Sequence, residues 1–83
     1  MGSSDVADTV IRLSAEQVDA DVTSVTPATH YVNDLSYDSL DVVDLSMKVE
    51  DELHVTIPDE RMQELKTVGD VISFVRDELT QKE

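Results

Sequence analysis

One spacing of apolar residues occurs twice in the chain, and it leaves little freedom in how those stretches can fold. Val42, Leu45, Ser46, Val49 and Leu53 fall at i, i+3, i+4, i+7 and i+11, and Val68, Val71, Ile72, Val75 and Leu79 repeat that series. At about 100° of rotation per residue, such a series draws one stripe along a helix and fits no face of a strand. A helix with one apolar stripe must bury it against other elements. A third stretch, from about Asp5 to Val18, supplies a partner. Val6, Val10 and Leu13 share a face there, with Ala7, Ile11 and Val18 on its flank. Three amphipathic segments within 83 residues predict an all-α chain forming a single domain over residues 1–83.

The remaining segments fit between these helices. Residues 19–38 form a long connection in which Pro27 bars an uninterrupted helix. Val22, Val25, Val32 and Leu35 are its candidate anchors, so an ordered loop over the bundle is expected, with His30 and Tyr31 as packing or surface residues. After the central helix, Pro58 in a first turn and the acidic pair Asp59-Glu60 open a short helix of about two turns through Met62 and Leu65. Thr67 then caps the last helix, with Asp70 three residues on. The predicted fold is a small four-helix bundle of three longer helices, one short helix and a long first loop. Met1-Gly2-Ser3-Ser4 reads as an expression remnant and is set aside from the fold, and Thr80 to Glu83 should fray.

The central helix, Ser39 to Leu53, carries more than a core requires. Leu40, Val43 and Met47 fall on a side of their own, bordered by Asp44, Glu50 and Asp51. Asp41, Lys48 and Glu52 make a third, charged face, with Asp44–Lys48 and Lys48–Glu52 spaced as i,i+4 pairs. Scattered surface apolars are ordinary. A row of them that includes an adaptable Met and is ringed by carboxylates also suits docking of a basic partner. Ser39 stands at the edge of that row. Asp38 before it and Asp41 after it have the spacing of a capping box, and acids in a first turn suit the helix dipole.

Composition narrows the chemistry. Nineteen acids against six bases give a formal net charge of −13, which disfavours nucleic acid and anionic membranes and favours basic proteins. With no cysteine, any thioester on this chain needs a thiol brought by a cofactor. No apolar run approaches the roughly 20 residues of a membrane span, and no signal-peptide pattern opens the sequence. His30 and His54 are separated from Ser39 by intervening turns, and no glycine-flanked elbow surrounds the serine, so hydrolase chemistry is not expected. No metal site is expected either, because Glu50-Asp51-Glu52 are contiguous on a helix and do not converge on one ion.

Asp38-Ser39-Leu40 followed by Asp41-Val42-Val43-Asp44-Leu45 resembles the modification motif and recognition helix of acyl carrier proteins. The likeness extends upstream to Val32-Asn33-Asp34-Leu35. Downstream it continues through Glu50-Asp51-Glu52-Leu53, Ile57-Pro58-Asp59-Glu60 and Thr67-Val68-Gly69-Asp70-Val71. It spans most of the chain, in order and without large insertions.

The resemblance implies a helical bundle and a carrier, not an enzyme. It implies that Ser39 is esterified by 4′-phosphopantetheine, taken from coenzyme A by a phosphopantetheinyl transferase. The arm's thiol would then hold acyl groups as thioesters for fatty-acid or polyketide synthesis enzymes with basic docking patches. Partner recognition is implied for Asp38, Leu40, Asp41, Val43, Asp44, Met47, Glu50 and Asp51. An acyl-chain cavity is implied for Val42, Leu45, Ser46, Val49, Leu53, Val71, Ile72 and Val75, which on spacing alone are core. A cytoplasmic monomer is expected, or an organellar one after loss of a targeting segment. Four positions depart from the family's pattern: Ser36 for the usual glycine, Tyr37 for a small residue, Lys48 in an acidic helix, and His54 at its end. The alternative on residues alone is an acidic helical module that binds basic proteins and is never modified.

Overall fold

Two of the three long helices start where the sequence provides caps. The computed structural model describes residues 2–81, with side chains from 6 to 80. Three long helices, α1 (Gly2–Gln17), α3 (Ser39–Leu53) and α5 (Val68–Gln81), are joined by two short ones, α2 (Tyr31–Leu35) and α4 (Asp59–Glu64). A 3-10 turn at Val22–Ser24 lies in the first connection. At the start of α5 the Thr67 hydroxyl accepts from Asp70 N at 3.1 Å, while the Asp70 carboxylate accepts from Thr67 N and Lys66 N. Both directions of the expected capping box are therefore present.

The core is the set of stripes brought together. Val6, Val10 and Leu13 of α1, Leu45 and Val49 of α3, and Val68, Val71, Ile72 and Val75 of α5 are all buried. Each fully buried aliphatic of this kind contributes about 1.5–3 kcal/mol over its exposed state. Helix α1 packs against both α3 and α5, and α3 also packs against α4. Met62 buries the inner face of α4, and the Arg61 guanidinium lies 5.3 Å from the Phe74 ring centre, clipping α4 to α5.

The long connection is ordered, and the segment before α5 holds it. Tyr31 N donates to Lys66 O, Val68 N to Thr29 O, and Gly69 N to Pro27 O at 2.8 Å. An isolated antiparallel bridge between His30 and Thr67 marks this seam. The close approach explains the glycine in Val68-Gly69-Asp70: a Cβ at Gly69 would lie 2.9 Å from Pro27 O.

Several expectations need correction. The connection contains the helix α2, so its anchors change. Tyr31 and Leu35, four apart, turn inward together, whereas Val32 is rotated outward and is 55% exposed. Val22, at the outward 3-10 turn, is 45% exposed, and Val25, Tyr31 and Tyr37 take the buried places. His30 is the N-cap of α2, its Nδ1 accepting from Asn33 N at 3.1 Å. Pro58 is the cap residue of α4 and lies outside its first turn, and Leu65 falls after its end, so that helix is shorter than two turns. Among the described residues Lys48 forms neither expected ion pair. Its ammonium donates to Gln17 Oε1 at 2.9 Å, and Glu52 faces Arg12 at 3.9 Å. Residues 2–4 extend α1 and are part of the helix, and α5 runs through Thr80 to Gln81. Met1 and residues 82–83, the last of the expected frayed end, lie outside the described residues.

Candidate functional site

The site is built at the first turn of α3. Asp38 is extended, with φ −105° and ψ −176°, and its Oδ1 accepts from Asp41 N at 2.9 Å. Asp41 Oδ2 returns the contact, accepting from Asp38 N at 3.2 Å. The reciprocal pair fixes where the helix begins, which makes Ser39 its first residue. Ser39 is exposed, and among the described residues no group holds its hydroxyl. Its own N–H and that of Leu40 belong to the first turn, where a helix leaves its donors unpaired.

The outward row runs beside the serine. Leu40 is 74% exposed, Met47 54% and Val43 41%. Exposed Asp38, Asp44 and Asp51 surround them. The other two carboxylates expected there are drawn inward. Glu50 is half-buried and its Oε2 accepts from Ile57 N at 2.6 Å, which ties the turn after α3 back to the helix. Asp41 is half-buried and its Oδ1 accepts from Gln17 Nε2 at 3.2 Å. The inward stripe is core as its spacing requires: Leu45, Ser46 and Val49 are buried, and Val42 and Leu53 half-buried. Val71, Ile72 and Val75 are likewise buried on α5. The Ser46 hydroxyl is satisfied within its own helix, donating to Val43 O at 2.7 Å.

Two tyrosines complete the approach to Ser39, and periodicity missed both. Tyr31 and Tyr37 are buried with ring centres 4.9 Å apart. The Tyr31 hydroxyl meets Ser14 Oγ at 2.8 Å, and the Tyr37 hydroxyl donates to Ser14 O at 2.6 Å. Burial raises both phenols well above their ordinary pKa. A signal existed at Ser14, a polar residue four places after Val10 on an apolar face, which implies a buried hydrogen bond.

The arrangement presents a hydroxyl and does not activate it. His54 closes the far end of α3, roughly 22 Å from Ser39 along fifteen residues of helix. His30 has its Nδ1 engaged by Asn33 N. An exposed serine without a base can accept a group from an enzyme that brings the base.

The comparisons with known proteins agree with one another. Residues 8–75 match a family model described as a phosphopantetheine attachment site. An acyl carrier protein of Helicobacter pylori strain J99 is 44% identical over 63 residues, 76% of this chain and 81% of that protein. One from Phenylobacterium zucineum is 40% identical over 76 residues, 92% of this chain and 96% of that protein. The fold is similar to the solved acyl carrier protein from Enterococcus faecalis, with a TM-score of 0.79 and 26% identity, over 94% of this chain and 99% of that one.

Proposed function

The chain belongs to the acyl carrier protein family, and we propose that Ser39 is the residue on which it carries its phosphopantetheine arm. Such a protein is a carrier and not an enzyme. The arm supplies the thiol that holds acyl groups as thioesters, and this chain has no cysteine to do so itself. In loading, the Ser39 oxygen attacks the coenzyme A phosphorus that bears pantetheine. The pyrophosphate P–O bond breaks, adenosine bisphosphate leaves, and the hydroxyl proton passes to a base on the transferase.

The observation that carries this reading is the exposed, unheld Ser39 hydroxyl beside the row of Leu40, Val43 and Met47. A phosphodiester there is next to the open N–H groups of the first turn of α3, where anions are favoured. Of the flanking acids, Asp41 already has both carboxylate oxygens engaged, by Gln17 Nε2 and Asp38 N. Leu40, Val43, Asp44, Met47 and Asp51 are read by the transferase and by fatty-acid or polyketide synthesis enzymes with basic patches. Asp38, Asp41 and Glu50 add to the field.

Val42, Leu45, Ser46, Val49 and Leu53 part from Val71, Ile72 and Val75 to shelter an acyl chain. Two features support this: the lining is apolar apart from one satisfied hydroxyl, and α3 and α5 approach each other less closely than either approaches α1. The whole of 1–83 is taken as one carrier domain working as a cytoplasmic monomer. A net charge of −13 opposes self-association.

The test is to incubate the chain with coenzyme A and a broad-specificity phosphopantetheinyl transferase, then weigh it intact. The chain is expected to gain one arm and Ser39→Ala none. A wild-type chain that gains nothing, or a gain that survives Ser39→Ala, would overturn the reading and leave an unmodified acidic interaction module.

A further inference from the structure

The end of α1 is tied to the chain on both sides of Ser39. A helix ending at Gln17 leaves the carbonyls of its last four residues without intrahelical donors. Two of them are met by the turn that follows. Ala15 O accepts from Val18 N and Ala20 N, and Glu16 O from Asp19 N, with Asp19 in the left-handed region at φ 56°. Ser14 O is met from elsewhere, by the Tyr37 hydroxyl at 2.6 Å. Tyr37 precedes Ser39 by two residues.

Gln17, three residues after Ser14 and so on a neighbouring part of the α1 surface, reaches the other side. Its Nε2 donates to Asp41 Oδ1 at 3.2 Å, two residues beyond Ser39. The Lys48 ammonium donates to Gln17 Oε1 at 2.9 Å. An ammonium can only donate and a carboxylate only accept, so these two partners fix which way the amide points. Asp41 passes the restraint on, its second oxygen holding Asp38 N. Residues 37, 38 and 41 are therefore tethered, while Ser39 and Leu40 between them stay exposed.

We propose that the last turn of α1 positions the attachment serine for loading, with Tyr37 and Gln17 as the positioning residues. The inference rests on Ser39 being the acceptor. Phosphoryl transfer needs the attacking oxygen in line and within about 3–3.5 Å of phosphorus, and a displacement of about 1 Å can cost roughly a hundredfold. A segment held in advance also spares the transferase the cost of ordering it.

The experiment measures kcat and KM for the carrier in transferase loading, using Tyr37→Phe, Gln17→Ala and the control Val6→Ala. Val6 is buried on the same helix but at its other end, so its loss lowers stability without touching residues 37–41. All variants are assayed at a temperature where circular dichroism shows them folded. Each of Tyr37→Phe and Gln17→Ala is expected to lower kcat/KM about tenfold. Amide exchange at residues 38–41 should quicken in both, while Val6→Ala loads at the wild-type rate. Loading of both variants within about twofold of wild type would overturn the inference, as would a loss in Val6→Ala as large as theirs. A wild-type chain that accepts no arm would overturn the attachment reading itself, and this inference with it.

Discussion

Ser36 shows what one residue costs at this site. It ends α2 with φ 59° and ψ 33°, a left-handed conformation that penalises an L side chain by about 1–2 kcal/mol and a glycine hardly at all. Ser36→Gly is expected to raise stability by about 0.5–1 kcal/mol after the greater freedom of glycine in the unfolded chain is counted. A higher urea midpoint at unchanged slope would show it, and a lower midpoint would contradict it. The resemblance marked Ser36 and Tyr37 as unusual, but their roles were not legible in the sequence. Spacing along a helix carries no sign of φ. Nor does it show that a tyrosine hydroxyl reaches a carbonyl 23 residues away. Lys48 and Glu50 take partners that helix spacing does not show, because both partners lie off α3: Gln17 is 31 residues away on α1, and Ile57 is in the turn that follows α3.

Helix α3 has two apolar faces, and they should fail differently when cut back. Leu45 is fully buried, so Leu45→Ala is expected to cost about 2–5 kcal/mol in stability. Met47 is 54% exposed, so Met47→Ala, like Asp44→Lys, should leave the fold intact and slow transferase action. Thermal melts and loading rates measured side by side check the pair. Equal melting losses for Leu45→Ala and Met47→Ala, or unchanged loading for both Met47→Ala and Asp44→Lys, would contradict the two-faced reading. This distinction was open to sequence reasoning because a helix of fifteen residues repeats its pattern enough times to separate the faces. Of the short elements, α4 was legible from Pro58, the acids after it and Met62, but its bounds and the whole of α2 were not. Five residues of α2 and six of α4 offer less than two turns of periodicity. Their placement depends on contacts such as the seam between residues 27–31 and 66–69.

The whole chain bears a net charge of −13, and a compact state repels itself at such a charge. Added salt or divalent cations should therefore raise the melting temperature, and a melting curve unmoved across a salt series would contradict this. Alkali should act in the opposite sense. Both tyrosines have pKa values raised by burial, so their contribution to stability is full below about pH 10, where the unfolded chain begins to lose phenolic protons. It is lost as pH climbs past that point. With two tyrosines and no tryptophan, tyrosinate absorbance should appear late and together with loss of helix. A smooth titration near pH 10 with the helices intact would contradict the buried hydroxyl pair. As a carrier, finally, the molecule depends on where its arm is joined, and Ser36 offers an exposed serine three residues from the proposed one. Fragmenting the loaded, intact chain in a mass spectrometer locates the added group. The expected result is phosphopantetheine on Ser39 alone; the group on Ser36, or on any other residue, would contradict the account.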